Sequence, residues 1–154
     1  MKHVIALIIL LSFTQVYSQA NETDKRKKNY NLSGGSTAIS GYDVVSYFTG
    51  KPKKGDKTIN YIHNGVTYYF SSASNRDLFK KLPEKFEPTY GVWCAYAMGA
   101  NGEKVEIDPE TYKIIDGKLY LFYNSYFNNT LPKWNKDEPN LKSKADKNWM
   151  ALDK

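Results

Sequence analysis

Apolar and polar residues follow two different periods along this chain, and the changes of period divide it into short helices and hairpins. The densest apolar stretch is Tyr90 to Met98, where Tyr90, Trp93, Tyr96 and Ala97 recur at spacings of three and four around Cys94, the only cysteine. That spacing puts them on one broad face and predicts a buried central helix, capped by Thr89 and ended by Gly99 and Gly102. Upstream, Ile39, Tyr42, Val45 and Phe48 fall three apart, one stripe of a short helix in which Ser40 and Asp43 form a weak capping box. Gly50 and Pro52 stop it. A strand is the alternative for this segment, because Val44, Val45, Tyr47 and Phe48 favour sheets.

Period two takes over at Thr58. Thr58 to His63 and Val66 to Phe70 are β-prone runs separated by Asn64-Gly65, the pair that a type I′ turn demands. Alternation puts Ile59, Tyr61 and His63 on one face. Ser72 or Ser74 then caps a helix reaching Leu82, with Leu78, Phe79 and Leu82 inward, and Pro83 and Pro88 bracket a turn. Lys104 to Ile107 reads as a short strand and Asp108-Pro109 as a turn. Tyr112 to Ile115 and Lys118 to Tyr123 form a second hairpin about Asp116-Gly117. On its second arm Leu119 and Leu121 point one way, Tyr120 and Phe122 the other, so both faces are expected to be covered. From Ser125 the pattern is helical, across SYFNNTLPKWNK and then from Asp137, with Leu141, Ala145, Trp149 and Leu152 at helical intervals. The expectation is an α+β domain: a small, mainly antiparallel sheet made of two hairpins, packed against the central helix and the C-terminal helices.

Composition changes the picture at the N-terminus. Met1-Lys2-His3 heads an apolar run from Val4 to Phe13, too short to span a bilayer, and Val16 and Ser18 stand where a signal peptidase needs small residues. Residues 1–18 therefore read as a signal peptide cut before Gln19, which predicts a periplasmic or extracellular protein. Residues 19–37 lack apolar periodicity and carry Lys25-Arg26-Lys27-Lys28, much of the excess behind the net charge of +6. They read as a flexible basic linker able to touch anionic surfaces weakly, and the domain proper runs over 38–154. Nucleic acid is not an expected partner, because Tyr30 is the only aromatic residue interleaved with those charges. A single cysteine leaves no internal disulfide, so stability rests on an aromatic core, and Cys94 must be buried or coordinated to persist in an oxidising compartment. A monomer is expected.

In order along the chain, AISGYDVVSYF, the hairpin Tyr61 to Phe70 with SSASNRDLF, PEKFEPTYGVWCAYA, DPETYKIIDGKLYLFY and KADKNW resemble the YHS domain family, in its exported single-domain bacterial branch. The likeness covers Ala38 to Trp149. It implies a binding module, and the wider family is associated with metal held by cysteines flanking the hairpin. Those positions carry Ser71 or Ser72 and Asn75 here, and a hydroxyl and an amide are poor ligands for a soft metal.

Three chemistries stay open. Cys94 and His63, helped by Asp43 or a tyrosine, offer donors to copper or zinc; the plainer alternative makes Cys94 a small buried hydrophobe and His63 a strand-end residue. Tyr42, Tyr61, Tyr90 and Trp93 offer walls for a small planar organic ligand, with Asp43 and Asn75 as polar contacts. The same residues also fit plain core, with Asp43 and Asn75 capping helices and Asp108 shaping its turn. Cys94 as a nucleophile with His63 as its base comes third, because the thiol falls about five residues into its predicted helix and no oxyanion donors can be named. The leading expectation is a module binding copper or zinc, the runner-up an organic-ligand pocket, and an enzyme comes last.

Overall fold

Asn64 and Gly65 take φ of +45° and +79°, the left-handed pair of a type I′ turn, and fold β3 (Asp56–His63) back on β4 (Val66–Phe70) with His63 opposite Val66. The structure is a computed structural model describing residues 21–152, so the signal-peptide expectation over 1–18 lies outside the described residues. β1 (Leu32–Ser33) and β2 (Thr37–Ala38) extend this hairpin into a four-stranded sheet of order β1-β2-β4-β3, in which Thr37 pairs with Thr67 in parallel. The second hairpin, β5 (Asp108–Ile115) and β6 (Lys118–Phe122), turns at Asp116-Gly117 and forms a sheet of its own.

The α+β class holds, but the two hairpins do not share one sheet. They pack together through Tyr68, Phe70, Leu119 and Leu121 in one core cluster, and the backbone bridge β6 makes outside its own hairpin, Leu119 to Pro88, goes no further because proline lacks an N–H. The strand expected at Lys104 to Ile107 is absent. β5 begins at Asp108, whose carboxylate accepts from the Glu110 N–H and the Thr111 hydroxyl where the register shifts.

β6 separates two cores. Leu119 and Leu121 join the cluster of Val44, Tyr47, Tyr68, Phe70 and Phe79, while Tyr120 and Phe122 join that of Tyr90, Met98, Trp134 and Ala145. Both faces of this strand are covered, as its apolar alternation predicts.

Two predicted helices break. Ile39 to Phe48 forms separate turns at Ile39–Gly41 and Ser46–Thr49, with Ile39, Ser40 and Gly41 at φ of +46°, +50° and +81°. In the central stretch Tyr90, Gly91 and Val92 are also left-handed, at +54°, +57° and +71°. Packing overrides periodicity there: a Cβ on Gly91 would lie 2.6 Å from the Trp149 ring and 2.8 Å from that of Tyr30. The helix proper, α4 (Ala95–Ala100), starts only after Cys94, which sits at its N-cap. Gly99 is inside α4 rather than ending it, because a Cβ would meet the Leu141 carbonyl oxygen of α6 (Glu138–Leu152) at 2.4 Å.

α2 (Ala73–Lys81) is capped as expected, the Ser72 hydroxyl accepting from the Asn75 N–H at 3.1 Å. Only Phe79 is buried on it. Leu78 is 41% and Leu82 51% exposed, because Leu82 leaves the helix before Pro83 starts α3 (Pro83–Phe86) and the inward stripe is one residue wide. Past β6 the expected helix over SYFNNT is instead a small hairpin, β7 (Asn124–Ser125) and β8 (Asn128–Asn129), and α5 (Leu131–Lys136) follows.

The basic segment is not a free linker from residue 21 onward. Residues 21–29 form α1, which is docked on the body. Arg26 is 8% exposed and pairs with Glu87 and Glu22; the Asn29 amide donates to the Leu152 carbonyl, and the Asn31 N–H to that of Gly91. Lys27 and Lys28 remain exposed.

Candidate functional site

Asp43 and Asn75 come together, but as scaffold. The Asp43 side chain is fully buried and accepts four hydrogen bonds: Val45 N–H at 2.9 Å, Ser71 N–H at 2.8 Å, Ser71 Oγ at 2.6 Å and Asn75 Nδ2 at 2.7 Å. This carboxylate ties the 43–46 turn, the end of β4 and the first turn of α2 into one joint. With every donor internal, it presents nothing to a ligand.

Cys94 and His63 lie in different surroundings. The buried Cys94 sulfur accepts the Tyr123 N–H at 3.3 Å and lies 3.5 Å from the Thr130 hydroxyl. Since that hydroxyl gives its single proton to the Tyr123 carbonyl at 2.9 Å, the thiol proton goes to Thr130 and the sulfur is satisfied in both directions. His63 stands between Tyr61 and Phe79, with ring centroids 6.5 and 6.0 Å away, and shares none of these partners. Desolvation holds its imidazole below the ordinary value. Among the described residues, no three of His, Cys, Asp and Glu converge in a group able to hold a metal ion. The N-cap position of Cys94 corrects the expected depth of five residues, yet its occupied sulfur offers no free nucleophile.

The four aromatic residues expected to wall one pocket are dispersed. The Tyr42 hydroxyl reaches Glu110 and its ring carries the Lys54 ammonium at 4.6 Å; Tyr61 lies beside His63 with Lys80 over its ring; the Trp93 indole donates to the Asn29 carbonyl at 2.7 Å. Tyr90 alone lines a cleft. That cleft, of about 390 Å³, is assembled from α1's C-terminal flank, α3, the left-handed turn with the residues leading into it, β6 and α6. Two ring pairs line it: Tyr30 and Trp149 stand 5.8 Å apart with Gly91 against both, and Tyr90 and Tyr120 stand 5.8 Å apart.

Polar groups line the same cleft. The Tyr90 hydroxyl donates to Asp146 Oδ1 at 2.8 Å, Lys142 holds Asp146 Oδ2 at 2.9 Å, and Lys118 donates to the Glu84 carbonyl at 3.0 Å. Burial pushes the Tyr90 and Tyr120 phenols up, so both are neutral donors at physiological pH. Glu87 also lines the cleft, engaged by Arg26 and by the Tyr68 hydroxyl at 2.7 Å. Sequence reading reaches Tyr90 and misses Tyr30, Tyr120, Lys142, Asp146 and Trp149. The signal available was the spacing Lys142, Asp146, Trp149, which is one face of a helix.

Among the described residues no helix is long and apolar enough to cross a membrane. Comparison with protein-family models, with curated proteins and with solved structures finds no match for this chain.

Proposed function

We propose that this chain is a binding module for a small planar organic ligand, seated in the cleft between the Tyr90-Gly91-Val92 turn and α6. One observation carries the reading: a cavity of about 390 Å³ that combines two pairs of aromatic rings with phenol, carboxylate and ammonium groups held in mutual hydrogen bonds. Ligand pockets have this size, and the cleft offers rings for stacking with placed polar atoms that orient the guest. The backbone supports the same site, since Val92, a β-branched residue at φ of +71°, belongs to the turn that forms one wall. The resemblance to YHS domains favours binding over catalysis, and the Met1 to Ser18 pattern favours a place outside the cytoplasm. The copper or zinc reading finds less support, because the Cys94 sulfur is engaged with Tyr123 and Thr130 and His63 is packed elsewhere.

Two probes test the proposal, indole-3-acetate as an aromatic acid and tyramine as an aromatic amine, titrated into isotopically labelled protein. The expected result is a saturable shift of the Gly91, Tyr120 and Trp149 resonances with at least one probe, weakened by Trp149→Leu. Preference for the acid would assign its polar group to Lys118 and Lys142, preference for the amine to Glu84 and Asp146. No shift with either probe, together with copper(I) or zinc uptake lost in Cys94→Ser and His63→Ala, would replace the organic ligand with a metal.

A further inference from the structure

Among the described residues, three hairpins have two-residue loops, and two follow turn chemistry. Asn64-Gly65 and Asp116-Gly117 both place their residues at positive φ, where asparagine, aspartate and glycine are tolerated. The third does not. Asn124 pairs with Asn129 and Ser125 with Asn128, which leaves Tyr126-Phe127 as the loop, with Tyr126 at φ of +52°. Tyrosine in that conformation is strained, and the chain puts two large rings at the tip where its other hairpins use small polar residues.

Neither ring does anything for the fold. Tyr126 is 97% and Phe127 106% exposed, and no core cluster includes them. The strands beneath are Asn124, Ser125, Asn128 and Asn129, short polar residues carrying amides and a hydroxyl. Lys133 of α5 reaches over to donate to Asn128 Oδ1 at 2.8 Å, placing an ammonium beside the tip, on a chain of net charge +6.

We propose that the Tyr126-Phe127 tip is a membrane-contact point that inserts its two rings into the interface of an anionic lipid bilayer. A protruding pair of rings, a collar of amide and hydroxyl groups at headgroup depth and a neighbouring ammonium match that interface in shape, polarity and sign. A protein partner fits less well, since a stable interface needs on the order of 1,200 Å² and the strands that carry the two rings are polar. The tip is separate from the Tyr90 cleft, so this inference stands independently of the proposed ligand.

The test uses the full chain, with vesicles of phosphatidylcholine alone or mixed with phosphatidylglycerol. The double variant Tyr126→Asn with Phe127→Gly gives this loop the chemistry of the other two, so its melting temperature is expected to match or exceed that of the parent. Its partition into phosphatidylglycerol vesicles is expected to fall at least about ten-fold, as loss of two buried rings requires. Because Val4 to Phe13 could itself bind lipid, a local readout is added. Brominated lipid should quench added fluorescence from Phe127→Trp but not from Ile62→Trp, whose parent residue is 62% exposed on β3. Equal partition of parent and double variant with no quenching from Phe127→Trp would overturn the proposal. A dimer that the double variant dissolves, with vesicle binding unchanged, would overturn it in favour of a second copy of the chain.

Discussion

Asp43 Oδ2 accepts a hydrogen bond from Asn75 Nδ2 at 2.7 Å across 32 residues of sequence, and the same oxygen takes the Ser71 N–H and hydroxyl. A buried carboxylate relies on such donors to offset the loss of its hydration. Asp43→Ala would leave the buried Val45 N–H without its acceptor and release the Ser71 and Asn75 donors, which lie nearer solvent, and an unsatisfied buried polar group costs about 1–3 kcal/mol before relaxation. The expected loss is about 2–3 kcal/mol of unfolding free energy in a denaturant titration. Asn75→Ala, which removes one donor of the four, is expected to cost about 1–2 kcal/mol. Equal, small effects from both would show that the joint is not cooperative.

The Arg26–Glu87 pair fastens α1 to the body, with side chains only 10% and 12% exposed, and Glu87 also accepts from Tyr68. Removing one member of a largely buried pair strands the other's charge. Arg26→Ala is expected to cost about 3 kcal/mol and to release α1, read as faster amide exchange over residues 21–29. Lys28→Ala, at an exposed position on the same helix, should change stability by less than about 0.5 kcal/mol. If Arg26→Ala behaves like Lys28→Ala, the segment is the free linker that its composition suggests.

Cys94 is fully buried, with its sulfur engaged by the Tyr123 N–H and the Thr130 hydroxyl. The thiol is therefore expected to resist a disulfide reagent in native protein and to react completely after denaturation, reporting global unfolding. Cys94→Ala would orphan the Tyr123 N–H and cost about 1–3 kcal/mol, while Cys94→Ser keeps a donor and an acceptor and should cost less. Fast labelling of the native thiol would show an accessible cysteine and reopen nucleophilic or metal chemistry.

How far these features were legible depends on the range of the forces behind them. The Asn64-Gly65 and Asp116-Gly117 hairpins, the Ser72 cap and the two-faced burial of Leu119 to Phe122 are local consequences of turn chemistry and alternation, and they appear as read. The helix drawn through Tyr90 to Met98 fails because Gly91 is clamped between Tyr30 and Trp149, contacts of long sequence separation that impose a left-handed turn. Arg26 reads as a linker charge for the same reason: its partner Glu87 lies 61 residues away. Asp43 and Asn75 are recognisable as special polar positions, but only the fold reveals that they answer each other. The cleft draws on five segments, so periodicity along any one of them shows a single wall.

His63 provides the pH-dependent element of the fold. Its imidazole is held below the ordinary 6.5, first by desolvation, with Glu87 and the more distant Glu84 and Glu22 opposing and Arg26 adding to the shift. A base whose folded value is depressed is more readily protonated unfolded than folded, so its stability contribution is complete above 6.5 and declines as pH falls through that value toward the folded one. Unfolding free energy is therefore expected to drop between about pH 7.5 and about pH 5.5, before most carboxylates titrate. His63→Phe keeps a ring against Tyr61 and Phe79 and removes the proton site, so its stability should be flatter across that window. Denaturant titrations of both proteins at matched ionic strength decide the point. A parent that gains stability on acidification in this range would place the imidazole nearer its carboxylate neighbours than to its hydrophobic ones, with the charged form favoured in the fold.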